Sequence, residues 1–215
     1  MSVGEMWKSN ALTLTLLIIL NLALFTLGTT PWMVIGIIIL AAGLFFSYRQ
    51  GMGYGHQACG ILATVQRAAD PQSPAHNQID EKIVRRAFSP STGVKGVLLS
   101  ALIPYIAGCL YIIVSLLNVE AMILPTRLIS WVLATPFWPL VLAWNPMFDR
   151  LTPTAAAVLM VSPFVIPLAT YIGYMQGPKL WAKSEKAMAD GKRRAKAKSR
   201  VVRKKRTPKA QKPEI

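Results

Sequence analysis

Charge is missing from the places where an enzyme or an ion-coupled carrier needs it. Four long apolar runs, ALTLTLLIILNLALFTLG (11–28), WMVIGIIILAAGLFFSY (32–48), VLLSALIPYIAGCLYIIVSLL (97–117) and TAAAVLMVSPFVIPLATYIGYM (154–175), hold no Asp, Glu, Lys, Arg or His. Proton relays, ion pathways and intramembrane hydrolases mark their course with such residues, so the absence speaks against all three. Cysteine and histidine are scarce as well, with two of each. Cys59 and Cys109 stand far apart, which provides neither a disulfide framework nor a zinc spacing. His56 and Cys59 sit at i and i+3, and His76 is the one further imidazole or thiolate nearby. A closed metal site needs three or four ligands and a catalytic Cys–His pair needs an orienting acid, so these residues predict no metal, no cofactor and no catalytic centre. Dinucleotide and P-loop fingerprints are absent too, because the glycines at 51, 53 and 55 match neither spacing.

What is present is hydrophobicity. With 53% apolar residues and a mean hydropathy of +0.41, the 215-residue chain is too apolar for a soluble domain. The expected fold is all-α, a polytopic transmembrane helical bundle of four spans plus one re-entrant or interfacial segment. Each apolar run has about the length a helix needs to cross the hydrocarbon layer. A cleaved signal peptide is the competing reading of 11–28, but Glu5 offsets Lys8 and no small-x-small cleavage site follows. LISWVLATPFWPLVLAW (128–144) is apolar enough to span, yet it holds Pro136 and Pro139 among three tryptophans. The distribution of charge decides its role. Residues 49–95 carry six basic against three acidic side chains, and 177–215 carry fifteen against three, so both are expected on the cytoplasmic side. An even number of crossings then joins them, which leaves 128–144 on the outer side.

The resulting organisation is an N-terminal hairpin (1–48), a cytoplasmic connection (49–95), a second membrane region (96–176) and a basic cytoplasmic tail (177–215). In the connection, YRQGMGYGHQACG (48–60) reads as a helix leaving the membrane through Tyr48 and Arg49 into a flexible turn. Residues 56–69 have a helical apolar spacing that suits a continuation of the second span as an amphipathic helix along the membrane surface, and 79–88 suit a short interfacial helix.

The spans display packing chemistry. Gly96, Ser100 and Gly108, and again Ala169, Gly173 and Gly177, recur at steps that put small residues on one helix face, where backbones can approach closely. They predict packing of the third span on the fourth, with a membrane-protein partner or a second copy of the chain as the alternative. Asn21 suggests an interhelical hydrogen bond. The tail's basic side chains, Lys192, Arg193, Arg194, Lys196, Lys198, Arg200, Arg203, Lys204, Lys205 and Arg206, point to anionic lipid. Nucleic acid is the less favoured polyanion, since no aromatic ladder reads bases.

Taken in order, YRQGMGYG, VKGVLLSALIP, NPMF and IGYMQGPK resemble a family of small multi-span membrane proteins from clostridia-like Gram-positive bacteria. The resemblance implies a bacterial plasma membrane and an all-helical fold, and it carries over no catalytic residue. The function expected is a non-enzymatic accessory or scaffold subunit in the lipid bilayer, with both termini cytoplasmic. The alternatives are a small-solute channel or transporter built on Asn21, Ser100, Ser115, Ser162 and proline-freed carbonyls, and a membrane enzyme that would require His56, Cys59 and His76 to meet.

Overall fold

The computed structural model describes residues 3–25, 29–69, 81–139 and 153–206. Among them every regular element is helical: α1 (Val3–Phe25), α2 (Thr29–Ala69), a single turn α3 (Glu81–Val84), α4 (Pro90–Leu116), α5 (Glu120–Ala134), a 3₁₀ turn (Thr135–Phe137) and α6 (Pro153–Arg206). Four of these, α1, α2, α4 and α6, are long and apolar enough to cross a membrane. The chain is a helical membrane protein.

Its faces are inverted relative to a soluble bundle. On α1 the buried positions are Met6, Ser9, Asn10, Thr13, Leu17 and Asn21, while Leu12, Leu16, Ile19, Leu20 and Leu22 are exposed. Polar groups therefore turn inward, where they can bond to one another, and leucines turn to lipid, which is as apolar as they are. α2, α4 and α6 likewise expose Ile38, Phe45, Leu98, Ile103, Val161 and Leu168.

Contacts between helices set their directions. Leu17 fills the space beside Gly43 and Ser9 bonds to Gln50, so α1 and α2 are antiparallel. Met6 lies on Gly96 and Asn10 bonds to Ser100, making α1 and α4 parallel. Gly93 meets Tyr171 and Gly108 meets Leu159, so α4 and α6 are antiparallel, and α6 is parallel to α2. The start of α1, the later part of α2, the start of α4 and the later part of α6 thus share one end of the bundle. Lys8, Arg49 and Lys95 all lie within about one turn of these contacts. At the opposite end Trp32, Tyr111, Trp138 and Leu159 form a core cluster joined by Trp131. Along α2, Trp32 and Arg49 are about 26 Å apart at 1.5 Å per residue.

Asn118, in the left-handed region at φ 53°, turns the chain from α4 into α5. α5 is pinned to α4 by Ser130, whose hydroxyl donates to the carbonyl of Ala107 at 2.8 Å. The 3₁₀ turn then enters the bundle: Phe137 packs with Leu17, Leu40 and Ile166, and Pro139 lies on Gly36. Thr135, Pro136 and Phe137 are buried, the condition under which irregular backbone is tolerated at membrane depth. α5 is not among the helices that can span, and residues 140–144 of the expected re-entrant segment lie outside the described residues.

Two expectations about the ends of helices need correction. α2 does not stop at Tyr48 and enter a flexible turn; it continues without interruption to Ala69, and residues 56–69 continue the second long helix as their apolar spacing suggested. α6 likewise runs past Met175 through the basic segment to Arg206, through lysine, arginine and alanine, all good helix formers. Of the expected helix at 79–88, residues 79 and 80 lie outside the described residues, and the remainder forms the turn α3 followed by backbone bonds from Arg86 to Ile83 and from Ala87 to Val84.

Candidate functional site

The glycines of YRQGMGYGHQACG are explained by α6. A Cβ on Gly51 would collide with the backbone carbonyl of Thr170, and one on Gly55 with that of Tyr174. From the other side, Gly173 faces the carbonyl of Tyr48, and Gly177 faces Gly55 and the amide of His56. Gly53, between the two contact glycines, has nothing within 4 Å. Gly51 and Gly55, four residues apart, share a helix face, and that face is where two backbones touch.

Polar groups gather beside this contact. The Asn10 amide donates to Ser100 Oγ at 3.0 Å, and its carbonyl oxygen accepts from Thr170 Oγ at 2.7 Å. Ser100 donates onward to the Gly96 carbonyl, Thr13 to that of Ser9, and Ser9 to the side-chain oxygen of Gln50. One layer of hydrogen bonds therefore ties α1, α2, α4 and α6 together. Tyr174, fully buried, clamps the connection: its phenol accepts from the Ser89 amide at 3.2 Å and donates to the Ser89 carbonyl at 3.3 Å, while its ring stacks on Phe88 at 4.9 Å.

Beyond Tyr48, α2 and α6 remain paired as a two-helix stalk. Trp181 covers Gly60, and its ring lies 5.3 Å from that of His56. Ser184 Oγ donates to the Trp181 carbonyl at 2.8 Å and lies 3.1 Å from His56 Nε2. Arg67 meets Glu185 at 3.9 Å in a largely exposed pair of little energetic weight. A groove of about 350 Å³ between the stalk helices is lined by Thr64, Arg67, Trp181, Met188 and Lys192.

The sequence-derived residues are distributed as follows. Gly96 receives Met6 of α1, and Ser100 bonds to α1; only Gly108 meets α6, at the Leu159 carbonyl. Gly173 and Gly177 pack on α2, and Ala169 of the same stripe is half-buried. The small residues of the third and fourth spans therefore do not chiefly serve each other, because the parallel α2 takes the contact face of α6. Asn21 bonds within its own helix, Nδ2 to the Leu17 carbonyl at 2.9 Å, and its Oδ1 lies buried against Gly36 and Pro139 without a hydrogen bond. The interhelical role belongs to Asn10, one residue before the first apolar run; its signal was the 3–4 residue recurrence of Met6, Ser9, Asn10, Thr13 and Leu17.

Cys59 is a buried free thiol with no bond to His56, and Cys109 lies 3.9 Å from the Met160 sulfur. His76 lies outside the described residues; among those described, no three His, Cys, Asp or Glu side chains gather. Ser100 and Ser162 do meet, on a cleft of about 200 Å³ with Asn10, Pro104, Pro163 and Pro167, whereas Asn21 and Ser115 are not on its wall. Lys192, Arg193, Arg194 and Lys196 are exposed on α6. The backbone at Lys198, Arg200, Arg203, Lys204, Lys205 and Arg206 continues the same helix. Compared with family models, curated proteins and solved structures, the chain matches none.

Proposed function

We propose that the protein is a non-enzymatic accessory or scaffold subunit of a bacterial plasma membrane, with both termini cytoplasmic, that displays a helical stalk to the cytoplasm. The bilayer fits between the tryptophan cluster and the Lys8, Arg49 and Lys95 level, whose separation of about 26 Å along α2 approaches the roughly 30 Å of the hydrocarbon layer. The basic end then faces the cytoplasm by the charge rule.

The observation that carries the reading is the continued pairing of α2 and α6 beyond that level. Arg67, on the stalk, lies about 27 Å along the helix from Arg49. Close backbone packing at Gly51, Gly55, Gly173 and Gly177 holds this projection in place, which is useful for presenting a surface and gives nothing to chemistry. The test is purification from native membranes in mild detergent with quantitative identification of what accompanies the chain. A stoichiometric partner, lost when Trp181 and Met188 on the stalk groove are both changed to serine, supports the reading. A lone monomer with an intact stalk refutes it.

A small-solute channel is the second reading, favoured by the meeting of Ser100 and Ser162 with three prolines on one cleft. Residues Pro104 and Pro167 each remove the helical donor of the carbonyl four positions earlier, at Ser100 and Pro163, which also line that wall. Uptake of uncharged solutes into liposomes containing the purified protein, abolished by Ser162→Phe, would establish it in place of the scaffold.

A further inference from the structure

Between Lys192 and Arg206 the chain has ten Lys/Arg in fifteen residues and no acid, the densest charge in the molecule. By composition alone the nearest polyanion is the membrane surface, but the fold holds this segment away from it. α6 meets the level of Tyr48 and Met52 at Gly173. Lys192 is nineteen residues further on and Arg206 thirty-three, or about 28 and 50 Å along the axis at 1.5 Å per residue. A tilt of 40°, at the upper end of the usual range, still leaves about 22 and 38 Å.

Pro178 does not turn α6 back to the surface, because the contacts of Trp181 with Gly60, Ser184 with His56 and Glu185 with Arg67 keep it on α2 beyond that proline. α2 itself has no proline between Pro31 and Ala69. Headgroups add only about 6 Å to the hydrocarbon edge, and their field decays over a Debye length of about 8 Å at physiological salt. The basic helix begins about two Debye lengths out.

Resting on the stalk reading above, we infer that the end of α6 binds the phosphodiester backbone of a nucleic-acid duplex. Ten cations over about 21 Å of helix give one per roughly 2 Å, comparable to the one phosphate per 1.7 Å of a duplex axis. Five of the ten are arginines, suited to bidentate phosphate bonds. The basic segment 192–206 holds no aromatic residue to stack on unpaired bases, so its contact is to backbone charge without sequence preference.

The test uses the full chain in nanodiscs of zwitterionic lipid and of lipid with about one third anionic headgroups, with fluorescent 20-base-pair RNA and DNA duplexes read by anisotropy. With about five phosphates neutralised, affinity should fall about 500-fold between 50 and 200 mM salt. The triple variant Lys204→Gln, Lys205→Gln, Arg206→Gln should bind at least tenfold more weakly at 100 mM salt, while Lys183→Gln with Lys186→Gln should change binding less than threefold. Equal binding of both duplexes supports backbone recognition alone; tighter binding of RNA or of DNA supports it and identifies the source. Absence of duplex binding in zwitterionic discs, or its loss in anionic discs because the helix lies on its own lipid, overturns the inference. If duplex binding fails while the stalk-dependent protein partner is retained, only the nucleic-acid inference falls. If both fail, the stalk reading falls as well.

Discussion

The alternating glycines at 51, 53 and 55 contain their own control. Replacing Gly51 by alanine puts a Cβ 2.8 Å from the Thr170 carbonyl carbon, and replacing Gly55 puts one 2.9 Å from the Gly177 Cα. Ordinary carbon contacts lie at about 3.5–4.0 Å, so the two backbones must separate by roughly 1 Å, and a carbonyl cannot swing aside as a side-chain end can. Overpacking of this kind costs about 1–3 kcal/mol, more than the 0.5–1 kcal/mol that alanine gains over glycine inside a helix. At Gly53, with nothing within 4 Å, only the gain remains. Gly51→Ala and Gly55→Ala should therefore lower the unfolding free energy in mixed micelles by about 1–2 kcal/mol, and Gly53→Ala should raise it by about 0.5–1 kcal/mol. Unfolding by sodium dodecyl sulfate titration, followed by circular dichroism and tryptophan emission, reads both directions. Three variants that shift alike would refute the α2–α6 contact.

Asn10→Leu removes bonds to Ser100 and Thr170 and should cost about 1–2 kcal/mol in the same assay, since interhelical bonds in bilayers average about 0.6 and reach about 1.7 kcal/mol. Asn21→Leu, which breaks no interhelical bond, should cost less than Asn10→Leu. Tyr174→Phe keeps the stack on Phe88 and loses both bonds to Ser89, so limited proteolysis should cut the 81–89 segment faster while the bundle melts at nearly the same denaturant concentration. Topology reporters fused after residues 75 and 206 should report one side and a reporter after 118 the other; disagreement between the first two would give α2 and α6 opposite directions and contradict their parallel packing.

The four apolar runs were legible because lipid forces every span to satisfy its backbone internally and to show apolar side chains outward. Their ends were less legible. A glycine cluster after Tyr48 has the composition of a turn, and only the partner helix shows that Gly51 and Gly55 are glycine to admit Thr170 and Tyr174. The pattern of small residues on the fourth span was visible, but its partner was not, since spacing along one helix identifies a contact face and not the helix that fills it. Asn21 drew attention as the polar residue inside an apolar run, whereas Asn10, at the margin of that run, makes the bonds between helices. The cleft brought together Ser100 and Ser162, from different spans, through the placement of α4 against α6, which neither run records by itself.

The central claim is that the α2–α6 pair carries the basic helix away from the membrane. With Cys59 and Cys109 changed to alanine and Lys192→Cys labelled with a donor fluorophore, energy transfer to acceptors on the cytoplasmic headgroups measures its height. The stalk places residue 192 about 22–28 Å beyond the level of Tyr48, hence about 15–22 Å from the headgroup surface. A distance of closest approach in that range, unchanged between zwitterionic and anionic bilayers, is the expected result. Approach within about 8 Å, the physiological Debye length, would place the helix on its own membrane and contradict the account.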